Sequence, residues 1–111
     1  MNNTNYIGSI VKILENPSSI TFYKNIPITK FRAQLPQVRN STIVNLTFWG
    51  NLANDVVNYY KINDYILIEG YLSVQNKQFK ESTINNLKKV EITVLKVYPF
   101  LLSLNNRDTL F

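Results

Sequence analysis

Cysteine and histidine are both absent from this 111-residue chain. Their absence removes disulfides, thiolate and imidazole metal sites, and nucleophile systems built on Ser–His or Cys–His pairs. Acidic residues are scarce: Glu15, Asp55, Asp64, Glu69, Glu81, Glu91 and Asp108 stand singly along the sequence. A catalytic carboxylate pair would have to be assembled by long-range folding, so the chain is expected to be no enzyme and to need no cofactor or metal. No apolar run approaches the ~18–20 residues of a membrane span, and no membrane partner is expected. The opening Met-Asn-Asn-Thr-Asn-Tyr has neither the basic and apolar build of a secretory signal nor the Arg-rich character of a transit peptide. The expected workplace is the compartment where the chain is made.

What the chain does have is positive charge. Twelve Lys and Arg against seven acids give a net charge of +5 and a pI near 9.5, which favours a polyanionic partner. Asn, Ile and Lys are abundant. These are the residues of A·T-rich codons, and they point to an organelle or an A·T-rich bacterium. The length suits one domain with one core.

Apolar periodicity divides the chain. Residues 6–14 are β-prone, with Gly8 marking a bend or close approach, and Asn16-Pro17-Ser18-Ser19 is a turn. Residues 20–24 make a short strand that Asn25 to Pro27 interrupt. Residues 28–35 alternate, with Phe31, Ala33 and Leu35 opposite Lys30, Arg32 and Gln34. Residues 43–49 alternate again, with Val44, Leu46 and Phe48 opposite Ile43, Asn45, Thr47 and Trp49. The period then changes. Leu52, Ala53, Val56, Val57 and Tyr60 recur at helical intervals, with Asn51 as the expected N-cap and Asp55 near the positive end of the helix dipole. Residues 65–74 form the clearest strand, setting Ile66, Ile68, Gly70, Leu72 and Val74 against Tyr65, Leu67, Glu69, Tyr71 and Ser73. A polar hairpin arm spans 75–86, a last strand spans 89–98 and is halted by Pro99, and 100–111 is a short tail.

Five main strands with one helix between the third and fourth point to an all-β fold, a five-stranded OB-fold Greek-key barrel whose helix covers one end. An open α+β sheet has the same periodicity. The expected domain is 1–99, with 100–111 as its tail. If the alternating apolar residues fill the barrel, Lys30, Arg32, Asn45, Thr47 and Trp49 face outward, and Tyr71 faces outward on the fourth strand. Rings and cations on a pleated surface suit a single-stranded nucleic acid, which is bound by base stacking and phosphate contact. Each residue also has a plainer role: Trp49 as a rim packer, Lys30 and Arg32 as a solvated strand face, Tyr71 in a subunit interface.

The run Trp49-Gly50-Asn51-Leu52-Ala53, then Tyr59-Tyr60-Lys61-Ile62-Asn63, then Ile66-Leu67-Ile68-Glu69-Gly70-Tyr71-Leu72 resembles the bacterial and organellar single-stranded DNA-binding protein (SSB) family. The opening Tyr6-Ile7-Gly8-Ser9-Ile10 is similar to that family's first strand, so the likeness covers most of 6–98. Trp49 matches one of the family's stacking aromatics. Ile43 replaces the Trp that usually opens the same strand, Gln37 lies near another missing Trp, and Lys77 or Phe79 stands about where a further one belongs. The family's long linker and acidic tip have no counterpart, although Asp108-Thr-Leu-Phe111 faintly resembles the tip's ending. Ile26-Pro27-Ile28-Thr29-Lys30-Phe31 also resembles the second strand of primosomal proteins of the same fold, and composition and brevity resemble SSB-like proteins of plastid genomes.

The resemblance implies sequence-tolerant binding of single-stranded DNA in replication, repair or recombination. The alternatives are single-stranded RNA binding, or a primosomal-type or decayed protein-interaction barrel. It implies contacts from Trp49, Lys30, Arg32, Asn45, Thr47 and Tyr71, with Lys77, Phe79 and Lys80 on an arm that wraps the strand. It further implies a homo-oligomer (dimer or tetramer), replication proteins as partners, and a plastid or a bacterial cytoplasm and nucleoid as location.

Overall fold

The computed structural model describes residues 5–36, 42–78 and 86–103. β1 (Asn5–Ile13), a short β2 (Thr21–Tyr23), β3 (Ile26–Leu35) and β4 (Thr42–Trp49) lead into α1 (Asn51–Tyr59), followed by β5 (Tyr65–Gln78) and β6 (Asn86–Leu101). The strands lie in the order β1-β5-β6-β4-β3-β2, and β1 also pairs with β3, Lys12 opposite Gln34 and Ile13 opposite Ala33. That extra pairing closes β1, β3, β4, β6 and β5 into a barrel, with β2 attached to β3 as an outlying strand. β4 and β6 run parallel, from Asn45 opposite Glu91 to Phe48 opposite Val94. An antiparallel meander, a helical crossover and a returning hairpin make the OB-type Greek key expected from the sequence.

The alternation does what period 2 requires. Phe31, Ala33, Val44, Leu46 and Phe48 are buried, joined by Val11, Ile13, Ile66, Ile68, Ile92 and Val94 from the other strands. Each large apolar side chain so buried contributes roughly 1.5–3 kcal/mol. Phe31 and Phe48 stack across β3 and β4 with ring centroids 5.2 Å apart. α1 closes one end of the barrel, burying Ala53 and Val56, with Tyr60 buried just beyond it, and the Thr29 hydroxyl donates to the Ala53 carbonyl at 3.0 Å.

Four local expectations need correction. Asn51 is the first helical residue and not the cap, because the chain enters α1 through Gly50 at φ 68°, a conformation that favours glycine. Gly8 answers to no close approach, since a Cβ there would meet only ordinary contacts at 3.7 Å. Val74 is exposed, because the β5–β6 hairpin continues past the barrel wall, where Val74 pairs with Val90. Finally, Pro99 does not halt β6. It sits opposite Ile66 beside a bulge, where a missing N–H is tolerated, and the strand runs on to Leu101.

The turn after α1 is held by Asp64, which is fully buried. Its carboxylate accepts from the Lys61 N–H at 2.8 Å and from the Ser103 N–H at 2.7 Å. The Asp64 carbonyl accepts from Ile13 N–H at 2.9 Å, and the Ile13 carbonyl accepts from Asn63 N–H at 2.8 Å. The segments that follow α1 and β6 thus meet at the Asp64 side chain, and the end of β1 joins them through the backbone of Asn63 and Asp64.

Candidate nucleic-acid interface

Directly opposed residues on paired strands share a face, so the register defines the outer wall. On β3 and β4 the outward pairs are Gln34–Ile43, Arg32–Asn45, Lys30–Thr47 and Ile28–Trp49. Trp49 stands at the end of β4, 43% exposed, and Lys30 is exposed one diagonal step away, a Cα separation of about 7–8 Å. Arg32 is exposed and forms an ion pair with Glu15 through its Nε. A surface pair of this kind contributes at most about 1 kcal/mol, so a phosphate can displace Glu15. Asn45 is half-buried beside Arg32. Trp49, Lys30, Arg32 and Asn45 therefore share one patch.

The other expected residues stand differently. Thr47 lies on the outer face but is buried, flanked by Lys30 on β3 and Thr93 on β6, so its short side chain offers a ligand little surface. Tyr71 does not border β3 or β4, because β6 runs between β4 and β5. It lies opposite Thr93, which lies opposite Thr47, so it continues the outer row of Lys30 and Thr47 but stands two strands from β4. There it is 43% exposed and meets Tyr6 edge-on at 5.3 Å, and the Tyr6 hydroxyl donates to Glu69 Oε1 at 2.8 Å. That hydrogen bond to the carboxylate raises the Tyr6 pKa above its ordinary value. Lys77 lies in the backbone ladder of the β5–β6 arm opposite Leu87, and Phe79 and Lys80 fall outside the described residues.

An open cleft of about 530 Å³, lined in part by Asn16, Pro17, Tyr60, Ile62 and Ser103, lies at the helix exit and shares no lining residue with this patch. Among the described residues, no group of three or more His, Cys, Asp or Glu could hold a metal ion, and no helix is long and apolar enough to cross a membrane.

The chain is 41% identical over 102 residues to the "Putative single-stranded DNA-binding protein ycf41" of Trieres chinensis, covering 88% of this chain and 90% of that one. It belongs to the SSB-like ycf41 family. A protein of the same name from Pyropia yezoensis is 29% identical over 98 residues, 88% of this chain and 81% of its own. The sequence matches no family model. Among solved structures, the small single-stranded DNA-binding protein of Streptomyces coelicolor superposes with a TM-score of 0.73 at 14% identity, covering 90% of this chain and 95% of its own. The SSB domain of a Synechococcus protein superposes with a TM-score of 0.67 at 21% identity, covering 88% of this chain and 98% of its own. SSBb of Mycobacterium smegmatis also gives 0.67, at 24% identity, covering 87% of this chain and 89% of its own. At these identities the likeness carries the fold.

On this ycf41-family barrel, the outer row through Lys30 and Thr47 continues to Thr93, and the row through Arg32 and Asn45 continues to Glu91. Neither β6 residue was expected at the site. Only the parallel β4–β6 pairing brings them there, and no local signal announces it. Ile43 is 53% exposed on the same face.

Proposed function

We propose that this chain binds single-stranded DNA with little sequence preference, stacking a base on Trp49 while Lys30 and Arg32 attract the adjoining phosphates. One observation carries this: the sole tryptophan is held out of the core, on the same outer face as two cations, in a chain whose 41%-identical relative bears a single-stranded DNA-binding name. The chemistry is association alone, with no bond made or broken. A stacked base is worth ~1–3 kcal/mol, so one ring per barrel gives weak binding and several linked barrels are needed for a useful affinity. We therefore extend the proposal to a homo-oligomer, a dimer or tetramer, with the Tyr6–Tyr71 wall free for a neighbouring subunit. Residues 1–99 form the binding unit, and 100–111 serve as its tail, the first two residues of which continue β6. The plastid is the proposed location, supported by the ycf41 designation of the relatives, and replication, repair or recombination the proposed setting.

Titration with oligo(dT) at two salt concentrations tests this. Trp49 fluorescence is expected to quench on binding, and affinity to fall steeply as salt rises. Absence of quenching and of gel retardation at low salt refutes the proposal. Preference for oligo(rU) over oligo(dT) would instead make RNA the ligand.

A further inference from the structure

The β2–β3 hairpin carries exposed rings that the site derived above does not use. Tyr23 is 55% exposed and lies opposite Ile26, and Thr21 lies opposite Ile28, which itself lies opposite Trp49. Opposed residues share a face, so Tyr23, Ile26, Ile28, Trp49 and Lys30 all belong to the outer wall. Ile28 supports the assignment: it is buried but does not belong to the core cluster, as expected of a side chain covered from outside by its neighbours on β2 and β4. The hairpin is tied to the patch by the Gly50 N–H, which donates to the Pro27 carbonyl at 2.8 Å. Tyr23 is two strands and two residues from Trp49, about 12 Å between Cα atoms.

The turn of this hairpin adds a cation. Lys24 and Asn25 have φ values of 52° and 70°, the two positive values of a type I′ turn. Glycine or asparagine suits the first of these positions better than lysine. Lys24 nevertheless occupies it, with Nζ 5.3 Å from the centroid of the Tyr23 ring. A ring paired with a cation, on the wall that already presents Trp49 and Lys30, is the combination that a stacked base and its phosphate require.

We infer that Tyr23 is a second base-stacking platform and Lys24 its phosphate contact, so that the single strand runs from Trp49 across Ile28 onto the β2–β3 hairpin. This rests on the proposed single-stranded DNA binding and extends it to a path. The strand crosses β4, β3 and β2 in turn. Phe22, 67% exposed and paired with Pro27, points to the opposite face of the hairpin and is not part of the path.

Quenching of Trp49 by oligo(dT) of increasing length, on the full chain and its variants, tests the path. Tyr23→Leu is expected to weaken binding roughly five- to 150-fold, the loss of one base–ring stack, and to shorten the length at which affinity stops rising. Tyr23→Phe is expected to bind as wild type. Lys24→Gly relieves the turn, so its melting temperature should equal or exceed that of wild type, while its salt dependence loses about one phosphate contact. Wild type that binds, with Tyr23→Leu equal to it in affinity and length dependence, overturns the inference and leaves the Trp49 site standing. Unchanged salt dependence in Lys24→Gly removes the phosphate contact. Wild type that fails to bind at low salt overturns both proposals.

Discussion

At the scale of single residues, the backbone fixes more than the side-chain pattern reveals. Gly70 is the clearest case: a Cβ there would lie 2.0 Å from the Thr93 carbonyl oxygen, at an irregularity in the β5–β6 register. Gly70→Ala must push two central strands apart, and a loss of about 2 kcal/mol or more is expected in urea unfolding, in line with overpacked cores. Gly8→Ala, by contrast, should shift stability by less than about 0.5 kcal/mol. The sequence marks both glycines alike as small residues inside strands. What separates them is the distance to the neighbouring strand, which no local pattern encodes. The same limit hides the burial of Thr47: alternation places it outward, and only the strands on either side, with Lys30 and Thr93, show that it is covered. Trp49, Lys30 and Arg32 were legible because their exposure depends on alternation alone.

At the scale of elements, the helix was legible almost to its ends, because Ala53, Val56 and Tyr60 repeat at a spacing that strands do not share. Its start was misplaced by the same reasoning that favours Asn over Gly as a cap, since the left-handed entry at Gly50 cannot be read from propensity. Tyr60, just past α1, packs into the barrel end, and its pKa is raised chiefly by burial, with Asp64 and Asp55 adding to it. The sign follows from the proton held in each state. The folded protein keeps the phenol protonated at a pH where the unfolded chain, at about 10, has begun to lose the proton. The stabilisation is therefore complete below that pH and is lost as pH rises through the folded value. Stability measured across that alkaline range should fall in wild type, and Tyr60→Phe should fall less steeply. Equal slopes would show that Tyr60 does not sense the barrel interior.

The whole molecule is where sequence reasoning gave the fold class but misjudged the neighbours. Five alternating stretches and one helix in the right order were enough for an OB barrel. They did not reveal that β6 separates β4 from β5, so that Tyr71 meets the row of Lys30 and Thr47 only through Thr93. Pairings between strands distant in sequence leave no periodic trace. Contacts between remote segments also gather at Asp64, beside the end of the barrel that α1 covers. Asp64→Ala leaves the Lys61 and Ser103 N–H groups without their acceptor, and a loss of about 3 kcal/mol is expected, because these bonds are made to a buried charge. Asp64→Asn keeps one acceptor oxygen and should fall between the two. Hydrogen exchange should locate the loss at the ends of β1 and β6, and uniform exchange across the barrel would contradict this role.

The insertion of β6 between two strands made before it has a consequence for synthesis. Until residues 86–101 have emerged, β4 and β5 each offer an unpaired row of amides and carbonyls to the surroundings. The nascent chain is therefore most prone to self-association in the interval just before its closing strand appears.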